Sequence, residues 1–426
     1  MKAIAVNFGC KVSQSDAFET IRILVDTGEV TRVLTFDQAD IIIIYCCCVT
    51  GRGAQKVRQR VRKLARDNSR ARIILCGCYP TAYLTELKTS TGIDDIVPGH
   101  NPEAILDLLD ITGSVNESTR NHTVTEATSS DGLRMRSRGI LKIQDGCSGT
   151  CAYCIVRHIR GTPASMPVSL VLSRLQYLVR AGFEEIVLAG VNLASYGSDL
   201  SPPGSLTRLI ESIHELEGVF RIRLSSLEPQ WITADLIDTM AASDIVCPHF
   251  HLPLQSGDDR VLRRMNREYT VDSYKKTVSL IEERFDDFGL GTDIMVGFPG
   301  ETEQEFENTR RLVEELPFTY LHVFRYSPRP GTQAAALNDD VLPAVKKDRS
   351  RILHDLEGEK IDHVLKKASG TIHEAVVINE GPPASLLTGT YLTGKLTNRN
   401  TPADMGKLLR VRITGYKQGT LLCSAL

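Results

Sequence analysis

Cys147-Ser148-Gly149-Thr150-Cys151-Ala152-Tyr153-Cys154 places three thiols within eight residues, separated by three and then two residues. The stretch follows the apolar-alternating run Ile140–Ile143 and an Asp145-Gly146 break, so it reads as a loop leaving a strand. A loop of this size can turn all three sulfurs onto one soft metal centre. Four protein thiolates would saturate an iron–sulfur cube, whereas three leave one iron open to a second molecule. A structural zinc site would want a fourth protein ligand and usually paired Cys-x-x-Cys knuckles.

Outward from that loop, strand and helix patterns alternate. Strands are predicted at Ile140–Ile143, Glu185–Leu188, Phe220–Leu224, Phe250–Leu254, Gly291–Val296 and Leu321–Arg325, with helices such as Ser169–Ala181, Ala234–Ala241, Val271–Arg284 and Glu303–Leu316 between them. Six βα units are too few for the eight-stranded barrel and enough for a partial one, whose chemistry belongs at the C-terminal strand ends. Motif-like residues fall there: Cys147–Cys154, Gly190-Val191-Asn192, Ser225-Ser226-Leu227-Glu228-Pro229, Gln255-Ser256-Gly257, Gly297-Phe298-Pro299-Gly300-Glu301 and Tyr326-Ser327-Pro328. Any one could be an ordinary turn; their coincidence on one rim is the stronger observation.

The N-terminal 112 residues alternate in the same way and predict an open parallel α/β sheet. Its expected strands are Ala3–Phe8, Ile41–Tyr45, Arg72–Leu75 and Ile93–Val97; its helices are Ser15–Val25, Gln55–Arg66, Tyr83–Leu87 and Glu103–Leu109. Cys10, the run Cys46-Cys47-Cys48, and Cys76 with Cys78 each follow a strand, so they converge on one C-terminal sheet edge, where ligands bind. Free cysteines are often small buried hydrophobes, but three groups at equivalent ends point to a second three-ligand site. Alternation along a strand lets at most one or two of Cys46–Cys48 face it.

Between Arg52 and Arg72, nine cations (Arg52, Lys56, Arg58, Arg60, Arg62, Lys63, Arg66, Arg70, Arg72) face the single acid Asp67, around a helical stripe of Val57, Val61, Leu64 and Ala65. Solvated surface helices usually mix signs; a one-sign face suits phosphate. Residues 113–136 are rich in Ser, Thr, Asn and Gly and read as a linker. The unit 137–368 holds the barrel pattern and a long charged helix near Pro343–Lys367. Residues 369–426 carry short apolar runs expected to form a small antiparallel β-barrel. Six basic against three acidic side chains there fit a nucleic-acid handle.

A chain of 426 residues exceeds one ordinary domain. A net charge of −2 confines any nucleic-acid surface to a local patch. Nothing resembles a signal peptide, and no apolar run spans a bilayer, so no membrane partner is expected. Eleven cysteines then indicate a reducing, cytoplasmic setting and metal or catalytic use.

The Cys147–Cys154 loop resembles the radical S-adenosylmethionine enzymes, whose signature is Cys-x-x-x-Cys-x-x-Cys. The wider stretch from Ile143 through Arg160-Gly161, with Gly9-Cys10-Lys11-Val12, Cys47-Cys48-Val49-Thr50 and Gly77-Cys78-Tyr79, is similar to the methylthiotransferases. The resemblance covers nearly the whole chain, including a TRAM-like C-terminal module. It implies two [4Fe-4S] clusters, one on Cys147, Cys151 and Cys154 that binds and cleaves S-adenosylmethionine, and an auxiliary one on Cys10, Cys47 and Cys78 that carries the sulfur. Gly190, Asn192, Ser225, Glu228 and Gln255 are the expected cofactor contacts. The implied substrate is an adenosine in a tRNA anticodon stem-loop, and a flavodoxin-like or ferredoxin-like protein is the implied electron donor. The runs Arg223–Pro229 and Leu321–Ser327 look most like the threonylcarbamoyladenosine branch, with Arg223 and Arg325 expected to meet its carboxylate and Arg58, Arg62 and Arg66 the RNA backbone. The alternatives are the isopentenyladenosine branch, the ribosomal-protein aspartate branch and, from another class, a zinc-bearing RNA-binding protein.

Overall fold

The structure, a computed structural model, describes residues 1–47, 51–83, 87, 92–111, 137–397 and 403–426, without the side chains of 51–56. Cys48, Arg399 and the expected linker 113–136 lie outside the described residues.

The run Ile41-Ile42-Ile43-Ile44 has no polar alternation, as expected of a strand covered on both faces. It forms β3 (Ile41–Cys46), whose six residues are all buried. Around it β1 (Lys2–Phe8), β2 (Thr31–Arg32), β4 (Arg72–Gly77) and β5 (Asp95–Pro98) form a parallel sheet of order β2-β1-β3-β4-β5. Helix α1 (Lys11–Asp26) packs Ala17, Ile21 and Leu24 on one face, and α2 (Gly51–Asp67) packs Val57 and Val61 on the other. The helix expected at Tyr83–Leu87 falls mainly on residues outside the described ones, with Leu87 itself helical; ahead of it the chain forms the short helix α3 (Cys78–Ala82). Gly77 has φ +94°, a conformation open to glycine, and turns the chain directly from β4 into that helix.

The central unit is a six-stranded partial barrel. Strands β6 (Gly139–Lys142), β9 (Glu185–Ala189) and β10 (Arg221–Leu224) form one parallel sheet; β11 (His249–His251), β12 (Gly289–Val296) and β13 (Tyr320–Arg325) form another. Bridges Ile222–Val246 and Ser226–His251 join the two sheets. The short pair β7 (Gln144–Asp145) and β8 (Ala164–Ser165) brackets the cysteine loop. Strand β11 ends three residues earlier than expected because Leu254 N–H donates to the Thr292 hydroxyl instead of continuing a ladder. Outward residues such as Leu141, Ile186, Leu188, Ile222, Leu224, Ile294 and Leu321 make the main core with the helices. Alternation therefore sends Glu185, Arg221, Arg223, His249, His251, Asp293, Tyr320 and His322 inward.

Strands β14 (Ile372–Asn379), β15 (Ser385–Thr388), β16 (Thr393–Leu396), β17 (Leu408–Lys417) and β18 (Thr420–Ala425) close a small barrel of order β14-β15-β16-β18-β17. The β16–β18 pair is parallel and the others antiparallel. This module seats on the N-terminal mouth of the partial barrel. Arg221 donates to the carbonyls of Glu374 and Leu387, and Arg223 to those of Thr388 and Gly389. A β-carbon on Gly289 would meet the Thr390 carbonyl at 2.0 Å, so this approach requires glycine. Tyr391 reaches in and stacks on His249, with ring centroids 4.5 Å apart.

Candidate active site: two thiol groups and a polar barrel interior

Strand β6 delivers the cysteine loop to the C-terminal rim. A β-carbon on Gly149 would lie 3.2 Å from Cys147 Sγ and 3.8 Å from Cys151 Sγ, so the loop folds around that glycine with these two sulfurs close to it. Gly149 N–H donates to Cys147 Sγ at 3.2 Å, and Arg267 donates to Cys151 Sγ at 3.2 Å. Arg267 also pairs with Glu228. Burial pushes the Cys147 thiol up and that of Cys154 to about 12.

The second group gathers Cys10, at the start of α1, with Cys47 and Cys78. A hydrogen bond with Cys47 lowers the Cys10 thiol to about 6, against the opposing effect of burial. Burial raises Cys78, and Arg160 acts in the opposite direction; its Nε donates to Cys78 Sγ at 3.3 Å. Cys46 and Cys76 are fully buried and belong to the two sheet cores, with thiols pushed far up by burial, Cys76 to about 12. They are packing residues. The donor chemistry fits the implied clusters: three neighbouring thiols in each group, each group with a guanidinium hydrogen-bonded to one of its sulfurs.

Arg160 ties the groups together. It lies at the end of the helix Val156–Arg160 after the cysteine loop, and besides Cys78 it grips Asp16 of α1 at 2.8 Å and both oxygens of Asp145. Lys142 pairs with the same two aspartates.

The expected cofactor contacts fall mostly on one rim. Gly190 N–H donates to Ser225 Oγ at 3.3 Å, and Asn192 N–H to Gln144 Oε1 at 2.8 Å. Asn192 Oδ1 is buried without a hydrogen-bond partner, an orphaned acceptor suited to a ligand donor. Glu228 stands beside Arg267 and Cys151, whereas Gln255, with φ +64°, spends its backbone on Asp293 and Met295.

Three expected substrate cations stand elsewhere. Arg223 is fully buried and shares Glu185 with Arg221, at 2.9 and 2.6 Å; a buried carboxylate needs such partners, and with the carbonyls of Thr388 and Gly389 they occupy four of this arginine's five N–H groups. Arg325 shares the face of Leu321 and Val323, which pack toward the helices, and so points away from His322 and Asp293. Arg58 is half-buried and donates to the Tyr79 hydroxyl at 3.1 Å. Arg62 and Arg66 are exposed, as are Lys63 and Arg70.

Several interior groups escaped the sequence reading. The Tyr320 hydroxyl lies 2.9 Å from both His249 Nε2 and His251 Nδ1; Asp293 Oδ1 lies 3.1 Å from His251 Nε2 and from His322 Nδ1. Burial pushes the Asp293 carboxyl up, but the two histidines outweigh it and hold it well below the usual range. Burial keeps His249 neutral. Lys11, next to Cys10, reaches this interior, with Nζ 5.8 Å from the centre of the Tyr391 ring. The inward parity of β11, β12 and β13 was the available signal for the histidines and Asp293; Lys11 left none.

Comparison with known proteins follows this geometry. Residues 141–313 match the Radical SAM superfamily and residues 2–99 match the uncharacterized protein family UPF0004. The tryptophan-bound radical S-adenosylmethionine methyltransferase TsrM of Kitasatospora setae shares the fold, with a TM-score of 0.58 at 15% identity over 78% of this chain and 75% of that one. The fold and site thus define a radical S-adenosylmethionine enzyme. The chain is 31% identical over 97% of its length to the whole of the threonylcarbamoyladenosine tRNA methylthiotransferase MtaB of Aquifex aeolicus, and 34% identical to that of Thermotoga maritima, over 83% of this chain and 82% of that one. It is 32% identical to the tRNA-2-methylthio-N(6)-dimethylallyladenosine synthase of Acetivibrio thermocellus, over 97% and 88% of the two chains. The chain belongs to the radical S-adenosylmethionine methylthiotransferase family. Among the described residues, no helix is long and apolar enough to cross a membrane.

Proposed function

We propose that this enzyme installs a methylthio group on carbon 2 of N6-threonylcarbamoyladenosine beside the anticodon of tRNA, with sulfur delivered at an auxiliary cluster on Cys10, Cys47 and Cys78. A [4Fe-4S] cluster on Cys147, Cys151 and Cys154 supplies, when bound, the electron that cleaves S-adenosylmethionine. Arg267 and Arg160 hold the two sulfur sets through Cys151 and Cys78. Asn192 and Glu228 flank the rim where the cofactor's polar groups would lie. The observation that carries the substrate reading is the barrel interior, lined by Lys11, His251, Asp293 and His322. That lining suits a side chain bearing hydroxyl, carbamoyl and carboxylate groups; an isopentenyl group would want apolar walls. An anticodon loop is single-stranded, so its base can enter at little unstacking cost. Electrons would come from a flavodoxin-like or ferredoxin-like donor.

The test offers the reconstituted enzyme two tRNAs, one with each adenosine modification, and reads the nucleosides by mass spectrometry. Methylthiolation of the threonylcarbamoylated tRNA is expected. Reaction of the isopentenylated tRNA alone overturns the assignment, and reaction of neither points to a protein substrate.

The exposed face of α2 is the proposed grip on the RNA backbone. Changing Arg62, Lys63 and Arg66 together to glutamine should weaken tRNA binding and flatten the slope of log K against log salt by about 2. An unchanged slope in the iron-loaded variant would return this face to ordinary solvated surface.

A further inference from the structure

The interior charge balance leaves one cation to account for. The charged groups facing Lys11 are Arg138, Arg223, Glu185 and Asp293. Glu185 is already divided among Arg138, Arg221 and Arg223, at 3.5, 2.6 and 2.9 Å. Asp293 is taken by His251 and His322. Among the described residues, no carboxylate lies within ion-pair distance of Lys11, whose one close contact of charge is the Tyr391 ring. The half-buried end of the barrel therefore holds four cations, Lys11, Arg138, Arg221 and Arg223, against the two carboxylates Glu185 and Asp293. An enclosed excess of positive charge attracts an anion.

Position narrows the anion. Lys11 directly follows Cys10, and consecutive Cα atoms lie about 3.8 Å apart. The cation thus stands one residue from a sulfur of the N-terminal thiol group, with its ammonium 5.8 Å from the centre of the Tyr391 ring, which itself packs on His249 and Tyr320. A base presented to the thiol groups would have this lysine beside it, ready to meet a negative substituent.

We infer that Lys11 is a specificity-determining residue that binds the carboxylate of the threonylcarbamoyl group. The inference rests on the substrate reading above and adds to it the residue that does the selecting. Lysine presents a compact ammonium to a carboxylate, and its charge fills the role that neither Arg223 nor Arg325 can take. The half-buried Tyr391 ring, brought in by the C-terminal module, lies on one side of the ammonium and limits its hydration.

The test uses the full chain, reconstituted anaerobically, and three anticodon stem-loop RNAs. One carries threonylcarbamoyladenosine, the second carries the same group with its carboxylate closed into an uncharged ring, and the third carries isopentenyladenosine. Equilibrium binding is measured alongside kcat and KM, with iron content as the check on loading. Wild type should bind the open carboxylate at least about tenfold more tightly than the closed ring, the size of one charge-assisted hydrogen bond. Lys11→Gln should lose that preference, with KM on the open form raised by a similar factor and kcat altered less; Lys11→Arg should keep most of it. A glutamine variant that still prefers the open carboxylate overturns the role of Lys11 and leaves the substrate reading standing. A wild-type enzyme that modifies the isopentenylated RNA alone overturns both. Should Lys11→Gln load poorly, equal binding of open and closed forms by wild type would by itself refute the inference.

Discussion

Arg160→Ala should separate the N-terminal sheet from the barrel and empty the N-terminal thiol site. Arg160 is the hinge pin of a buried ionic group: its guanidinium pairs with Asp16 and Asp145 and donates to Cys78 Sγ. Asp16 is completely buried, so truncating the arginine leaves it with Lys142, which Asp145 also claims, and with His100 at 4.0 Å. Removing one partner from a buried charge network costs about 3–5 kcal/mol because the remaining charge keeps its desolvation penalty. Here that cost falls on the contact between two units, since Asp16 belongs to α1 and Arg160 to the barrel. Calorimetry should show the N-terminal unit melting earlier, as a separate transition. If, as proposed, the N-terminal thiols carry a second four-iron cluster, iron per chain should fall toward about half. Arg160→Lys keeps a charge but not the fork that reaches two carboxylates and a thiol, so an intermediate loss is expected. An alanine variant with unchanged melting and full iron would show that Lys142 and His100 suffice without it.

Legibility in the sequence followed the range of the physical signal. The parallel N-terminal sheet was readable from Ile41–Ile44 and the strands on either side, because burial on both faces writes a continuous apolar run. The cysteine loop was readable because its spacing is local. Cys47 could not be separated from Cys46 by spacing alone; the strand's depth does so, placing Cys46 in the core. Arg325 was misplaced although the signal was present, since Leu321 and Val323 on the same parity already declare the helix-facing side. Arg223 had the right parity and the wrong height. Its partner Glu185 and the carbonyls of residues 388 and 389 come from distant segments, which no local pattern reports. Lys11 is the same case between domains: it belongs to a helix of one unit and places its ammonium beside Tyr391 of another.

Glu185→Gln should loosen the seat of the C-terminal module and abolish part of the acid sensitivity of the fold. Glu185 is fully buried and is the only carboxylate, among the described residues, that pairs with Arg221 and Arg223. Those two arginines carry the hydrogen bonds to the carbonyls of Glu374, Leu387, Thr388 and Gly389 that hold the module against the barrel floor. Burial pushes the Glu185 carboxyl up, but Arg223 and Arg221 outweigh it and hold it at about 2, against an ordinary 4.5. A depressed carboxylate contributes stability that is fully present above its unfolded pKa and is lost as pH falls through the folded one. For Glu185 that window runs from about 4.5 down to about 2. By linkage the contribution at neutral pH is about 3 kcal/mol. The glutamine variant keeps the shape and removes the charge, leaving the arginines to repel one another beneath the module. Its stability deficit against wild type should be about 3 kcal/mol at pH 7, unchanged down to about pH 5, and should shrink steadily as the pH is lowered toward 2. Taking the difference between the two proteins cancels the other carboxylates that titrate in the same range. A deficit that stays constant across that window would mean that Glu185 holds the arginines by geometry and not by charge.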